Sequence, residues 1–287
     1  MRPEKEMLDM ILGFAEYDPR IRAVGMEGSR TNPNVPKDIF QDYDISYLVT
    51  DMNSFIDHPA WIDVFGERLI MQTPEAMSLY PPELNGWFTY LMLFTDGNRI
   101  DLALIPVEEA EKYYKSDQLI RILMDKDGLF PQIQTPTDED YHVRKPTKEH
   151  FADCCNQFWW VSTYVAKGLW RKEILYAIDH LNNYVRFELL RMLSWKAGII
   201  TDFSLSVGKN HKYLEKYLTR EEWSRLIPSY RTDSYESCWE ALFSVTALFR
   251  ETASFVAQKL DYAYNKKEYD RVNMYLKEVR NNSQNKH

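Results

Sequence analysis

In EGSRTNPNVPKDIFQDYDISYLV, residues 27–49, a Gly28-Ser29 pair precedes Asp42 and Asp44, and a third acid, Asp101, stands inside the apolar run RIDLALI. Side chains two apart on an extended chain point the same way, so Asp42 and Asp44 share a face at the head of a strand over 42–49. Three carboxylates converging in one pocket are tolerable around cations. Two divalent ions about 4 Å apart, bridged by such acids, stabilise both the attacking and the leaving oxygen of phosphoryl or nucleotidyl transfer. A glycine after a strand admits a phosphate close to the backbone, and the Ser29 hydroxyl can donate to it.

The Asp-x-Asp triplet alone decides nothing. The chain has three of them, where composition alone would produce about one or two by chance. Asp125 and Asp127 precede Gly128, and Asp138 and Asp140 lie in TPTDED, where turn chemistry accounts for acidic residues without any metal. Asp42 and Asp44 differ in their surroundings. The order strand, Gly-Ser, Asp-x-Asp opening a strand, then a single strand Asp is far more specific than any member. In RIDLALI, Ile100, Leu102 and Leu104 share one face and Asp101 and Ala103 the other. An edge strand with a wetted face is the plain alternative for Asp101.

These residues need a sheet to carry them. Over 1–145 the pattern is α+β: a helical EKEMLDMILGFAEY, strands in RIRAVGMEG and DYDISYLVT, and a hairpin of GWFTYLMLF and RIDLALI about Asp96-Gly97. A mixed sheet with flanking helices is the expected result. Over 146–287 strand signals vanish. Helical stretches are predicted at 148–170, 171–197 ending at Gly198, 209–218, 219–226, 234–264 and 267–281, with a capping box of Thr219 and Glu222 and a frayed tail NNSQNKH. The expected organisation is a catalytic domain over 1–145 and an all-α helical bundle over 146–287, with the active site in the cleft between them.

Composition narrows the partners. The chain has 287 residues, 45% hydrophobic and 27% charged, with a formal net charge of −8. That balance disfavours nucleic acid and suits a cationic substrate. The N-terminus lacks the pattern of a signal peptide and no apolar stretch approaches membrane-span length, which predicts a cytoplasmic protein without membrane contact. Cys154, Cys155 and Cys238 match neither a disulfide framework nor a zinc site and are read as core residues of a reduced protein.

The ordered set of Gly-Ser, Asp-x-Asp and a third strand carboxylate resembles the nucleotidyltransferases of the DNA polymerase β-like superfamily. With DYHVRKP, KEILYAIDH, ELLRMLSWK and SVGKNHKYLEKY, the chain from its first helix to about residue 265 looks like the aminoglycoside 6-adenylyltransferases, which inactivate streptomycin. The resemblance implies transfer of AMP from ATP to the 6-hydroxyl of streptomycin with release of pyrophosphate. It further implies two Mg²⁺ ions on Asp42, Asp44 and Asp101, nucleotide contacts from Gly28, Ser29 and Arg30, and a monomer with small-molecule substrates. The insert RTNPNVPKDIFQ departs from the wider superfamily and is expected to order on nucleotide binding.

In the helical half, Lys209 and Lys212 stand at the start of a predicted helix, whose amide donors and dipole favour a triphosphate. Solvated surface lysines are the plain alternative. A ligand rich in guanidinium groups and hydroxyls calls for carboxylates and aromatic faces. Asp179 and Glu188, placed on about the same side of their helix, are the candidates. Trp159 and Trp160 read as core more than pocket, and His180 as a hydrogen-bonded structural group more than a base. An aspartyl phosphatase is disfavoured because no apolar strand precedes Asp42. A nucleotidyltransferase-fold binding module would be expected to lose one of the acids, and an enzyme acting on RNA or protein fits the acidic charge poorly.

Overall fold

The computed structural model describes residues 1–130 and 135–284. The chain divides into two compact units, Met1–Asp140 and Tyr141–His287.

The first unit is built on a six-stranded mixed sheet: β1 Ile21–Glu27, β2 Tyr43–Val49, β3 Arg68–Gln72, β4 Phe88–Phe94, β5 Arg99–Pro106 and β6 Arg121–Asp125, in the order β3-β4-β5-β2-β1-β6. Only β2 and β5 pair in parallel; the other neighbours are antiparallel. Helix α1, Glu4–Tyr17, presents Met7, Ile11 and Ala15 at four-residue spacing to one face of the sheet. There they join Val24, Met26, Ile45, Tyr47, Ile100, Leu102 and Leu104, and the Tyr47 hydroxyl donates to the Ile11 carbonyl at 2.7 Å. Helix α2, Asn53–Ile56, adds Phe55 to that core. The opposite face carries α3, Ala110–Tyr114, over a smaller core with Ala23, Leu48, Ile105 and Ile120. Period-2 alternation thus sends Ile45 and Tyr47 to α1 and leaves Asp44 and Ser46 on the α3 side.

Strand β2 begins at Tyr43, so Asp42 stands one residue before it. Strands β3 and β6 went unforeseen: both are five-residue runs mixing apolar and charged side chains, with Arg68 in one and Arg121 and Asp125 in the other. β5 is an interior strand between β4 and β2, which removes the edge-strand reading of Asp101.

The second unit is helical: α4 Lys148–Trp170, α5 Ile174–His180, a π-helical turn Leu181–Val185, α6 Arg186–Ile200, α7 Arg220–Leu226, α8 Tyr235–Leu260 and α9 Lys266–Gln284. Its core includes Phe158, Trp159, Leu189, Met192, Leu242 and Phe249. Caps set the starts: Thr147 accepts from the His150 amide, Thr219 and Glu222 form the foreseen capping box, and Ser234 caps α8 with Ser237. Three expectations fail. The stretch 171–197 begins late, at Ile174, because Lys172 takes a positive φ, and the π turn lies inside the continuous helical run from α5 into α6. The helix does not stop at Gly198, which lies within α6, where the Phe203 ring fills the place a Cβ would take. Residues 209–218 form only the 3₁₀ turns Lys209–His211 and Leu214–Tyr217, since Asn210 and His211 adopt positive φ. Residues 281–284 continue α9, and the rest of the tail, 285–287, lies outside the described residues. Cys154 and Cys238 are buried in this core and Cys155 packs against it. Among the described residues, no helix is long and apolar enough to cross a membrane.

Candidate active site

Strand register builds the site. Glu27 of β1 pairs with Asp44 of β2, and Asp44 pairs with Asp101 of β5. Paired residues on neighbouring strands share a face. Three carboxylates therefore lie in a row across three adjacent strands, on the α3 side of the sheet.

The turn Gly28–Arg30 leaves β1 beside this row. Gly28 has φ +71°, and a Cβ there would overlap the Asp44 carboxylate, so only glycine lets the chain pass so close to that acid. Arg30 points back at the approach to β2. Its Nε donates to the Asp42 carbonyl at 3.0 Å, another guanidinium nitrogen donates to the Gln41 carbonyl at 2.8 Å, and the group stacks over the Tyr43 ring at 3.7 Å. Gln41 in turn donates to the Ser29 carbonyl at 3.1 Å. The turn and the Asp42 backbone are thus braced against each other, and Arg30, foreseen as a nucleotide ligand, braces the backbone here. The insert is tethered further out by the Asn34 amide, which donates to Asp138 at 2.8 Å.

Arg99 lies between Asp42 and Asp101. Its Nε and one terminal nitrogen donate to both Asp101 oxygens at 2.7 and 2.6 Å, and the other terminal nitrogen stands 3.6 Å from Asp42 Oδ2. Burial raises the Asp42 carboxyl above the ordinary range, Arg99 opposes the rise, and the Asp101 charge adds to it. Among the described residues, no group of three His, Cys, Asp or Glu closes into a metal-binding cluster. The donors nonetheless suit a hard divalent cation: they are all carboxylates, a cationic group already sits among them, and the missing side chain of Gly28 accommodates Asp44.

Glu27 was missed by sequence reasoning. Its carboxyl accepts from the Ser46 hydroxyl at 2.8 Å and from the Tyr113 hydroxyl. Tyr113 reaches it by crossing Gly25, where a Cβ would collide with the phenol oxygen. Enclosure of the carboxyl raises its pKa to about 7, against the pull of those two hydrogen bonds and with help from the Asp44 charge. Arg99 was legible, since it shares the face of Asp101 two residues away. Glu27 immediately precedes Gly28 but carries no signal of its pairing with Asp44, and nothing in the sequence places Tyr113 over Gly25.

The other two Asp-x-Asp triplets do structural work. Asp125 accepts from the Leu129 and Phe130 amides, Asp127 pairs with Arg22, and Asp138 holds the insert. In the helical unit, Asp179 and Glu188 do not share a side. Nine residues span two and a half turns of α-helix, and the π turn lies between them. Asp179 is exposed and accepts from Asn183, whereas Glu188 is buried and paired with Arg191 at 2.9 Å. His180 bonds the Tyr176 carbonyl through Nδ1 at 2.9 Å and stacks on the Tyr176 ring. Trp159 is core and Trp160 is exposed. Lys209 and Lys212 are exposed on their 3₁₀ turn, which lacks the helix dipole foreseen for them.

The family model described as streptomycin adenylyltransferase matches residues 1–279. The chain belongs to the streptomycin adenylyltransferase family. Among its relatives, aminoglycoside 6-adenylyltransferases of Bacillus subtilis (strain 168) and Campylobacter jejuni are 51% and 54% identical over 265 and 264 residues. Each match covers 92% of this chain, and 93% and 91% of the respective relative. The Staphylococcus aureus enzyme of the same name is 42% identical over 286 residues, 99% of this chain and all of its own. A crystal structure of an aminoglycoside 6-adenyltransferase from Bacillus subtilis is 44% identical and covers 97% of this chain and 99% of that one, with a TM-score of 0.48. Family membership makes the chain a nucleotidyltransferase.

Proposed function

We propose that this enzyme transfers AMP from ATP to the 6-hydroxyl of streptomycin, releasing pyrophosphate and conferring resistance. The observation that carries the proposal is the pairing of Asp44 with Asp101, beside a glycine turn, in a chain half identical to aminoglycoside 6-adenylyltransferases. Asp42 and Asp44 would hold two Mg²⁺ ions, with Asp101 on the second alone. When bound, Mg²⁺ supplies neutralisation of the triphosphate and of charge developing on the acceptor oxygen.

The chain's own groups do the rest. Gly28 and Ser29 offer backbone and hydroxyl to the phosphates, and Arg30 keeps that turn against Asp42. Asp101 receives or orients the proton of the 6-hydroxyl as its oxygen bonds to the α-phosphorus and the bond to the β-phosphate oxygen breaks. Lys209 and Lys212 are assigned to the triphosphate; alanine at either raises the KM for ATP more than that for the aminoglycoside, and equal effects would refute the assignment. Asp179 and Glu188 are assigned to the cationic acceptor. The working form proposed is a cytoplasmic monomer with no macromolecular partner.

The deciding experiment is mass spectrometry of products after incubation with ATP, Mg²⁺ and a panel of aminoglycosides. The expected result is a gain of one AMP on streptomycin at the 6-position. AMP on another aminoglycoside only, or on RNA or protein, would overturn the acceptor while leaving the transfer chemistry intact.

A further inference from the structure

We infer that Arg99 is an exchangeable counter-ion of the acidic site: it holds Asp101 and Asp42 in the cation-free enzyme, yields them to the incoming divalent ion, and turns its charge to the phosphates of the nucleotide. This role presupposes the cation site proposed above. Strand β5 puts Arg99 and Asp101 on one face, and the guanidinium fork takes both Asp101 oxygens at 2.7 and 2.6 Å while its third nitrogen reaches to 3.6 Å from Asp42. One group therefore spans two of the three acids. It competes with a divalent ion for the same oxygens, because two positive centres at contact distance repel and each weakens the other's hold on the carboxylates.

Arg99 is also able to leave. Its side chain is 43% exposed. Arg186, by contrast, is buried, bonded to the Ser229 hydroxyl and carbonyl and stacked on Tyr230. A displaced Arg99 remains tethered to β5 next to the acids, where a triphosphate offers a planar, bidentate-capable group its best new anion. Without nucleotide, Arg99 competes with the cation, and with nucleotide its release is rewarded, so the two ligands favour each other through this side chain.

The test is Mn²⁺ binding to the full-length enzyme, followed by electron paramagnetic resonance, with and without the non-transferable analogue α,β-methylene-ATP. Arg99→Met should bind Mn²⁺ about fivefold or more tightly than wild type without nucleotide, and the analogue should tighten Mn²⁺ binding less in the variant than in wild type. Arg99→Lys keeps the charge but not the fork, and should lie between the two; it serves as the decisive variant if Arg99→Met fails to fold. Unchanged or weaker Mn²⁺ binding by the substituted enzyme would overturn the inference, as would equal tightening by the analogue. Failure of the wild type itself to bind Mn²⁺, even with the analogue, would remove the cation site and this role together, whereas wild-type binding indifferent to residue 99 would remove this role alone.

Discussion

Asp101 and Glu27 occupy the same row and differ in their partners. Asp101 is held by a guanidinium on an interior strand, and Glu27 is enclosed by two hydroxyls. On the proposed chemistry, Asp101→Asn should cut kcat by roughly 10²-fold or more with the KM for ATP nearly unchanged, since it spares the acids assigned to the nucleotide-bearing ion. Near-normal turnover at saturating substrate would reject Asp101 as the proton acceptor. Glu27 makes a separate prediction about stability. Its pKa rises from 4.5 to about 7 on folding, so between those values the folded state binds more protons than the unfolded one. Stability of the metal-free protein then falls as pH rises through that window, by an amount on the order of 1–3 kcal/mol. Glu27→Gln, which still accepts from Tyr113 and Ser46, should flatten the slope in urea titrations from pH 5 to 8. A slope identical to wild type would mean that Glu27 is ionised throughout.

At the scale of elements, pairing and capping matter more than propensity. The carboxylate row exists because β2 lies between β1 and β5, and a shift of one residue in either pairing would turn Asp44 away from its neighbours. Among the helices, α7 is only seven residues long and depends on its first turn. Thr219 accepts from the Glu222 amide at 3.2 Å, Glu222 returns to the Thr219 amide at 2.9 Å, and the same carboxylate pairs with Lys196 of α6. Thr219→Ala should therefore lower unfolding free energy by about 1 kcal/mol in chemical denaturation, with activity at saturating substrates retained. A loss no larger than the error of the measurement would show that the Lys196 pair holds the helix start without the cap.

At the scale of the whole molecule, each unit closes its own core: α1 and the sheet in the first, α4, α6 and α8 in the second. All three thiols belong to the second core or its margin. Burial raises Cys154 and Cys238 above the ordinary thiol range and pushes Cys155 up to about 12. A thiol-specific disulfide reagent at pH 8 should label the native enzyme only slowly and all three cysteines after unfolding in guanidinium, because the thiolate is the reacting species. Fast labelling of one thiol in the native enzyme would show a core more open than this packing.

Much of this protein could be read before any coordinates. Gly28-Ser29, Asp42, Asp44 and Asp101 stood out by order and spacing, and so did the change from strand to helix signals, because periodicity and turn residues act over a few positions along the chain. Even the face of Asp101 followed from alternation in RIDLALI. Other features depended on which elements become neighbours. Glu27 joined the row only through the β1–β2 register, Tyr113 reached it only because Gly25 left space beneath the phenol, and Arg99 became a bridge only when β2 delivered Asp42 to it. The helical unit repeats the lesson. Packing decided which face of the helical run from α5 into α6 is buried, which put Glu188 in the core and Asp179 in solvent, and Lys209 lost its helix to two positive-φ residues. Local pattern determines which way a side chain leaves its own element; the contacts it then meets come from pairings between distant segments, which tertiary packing alone selects.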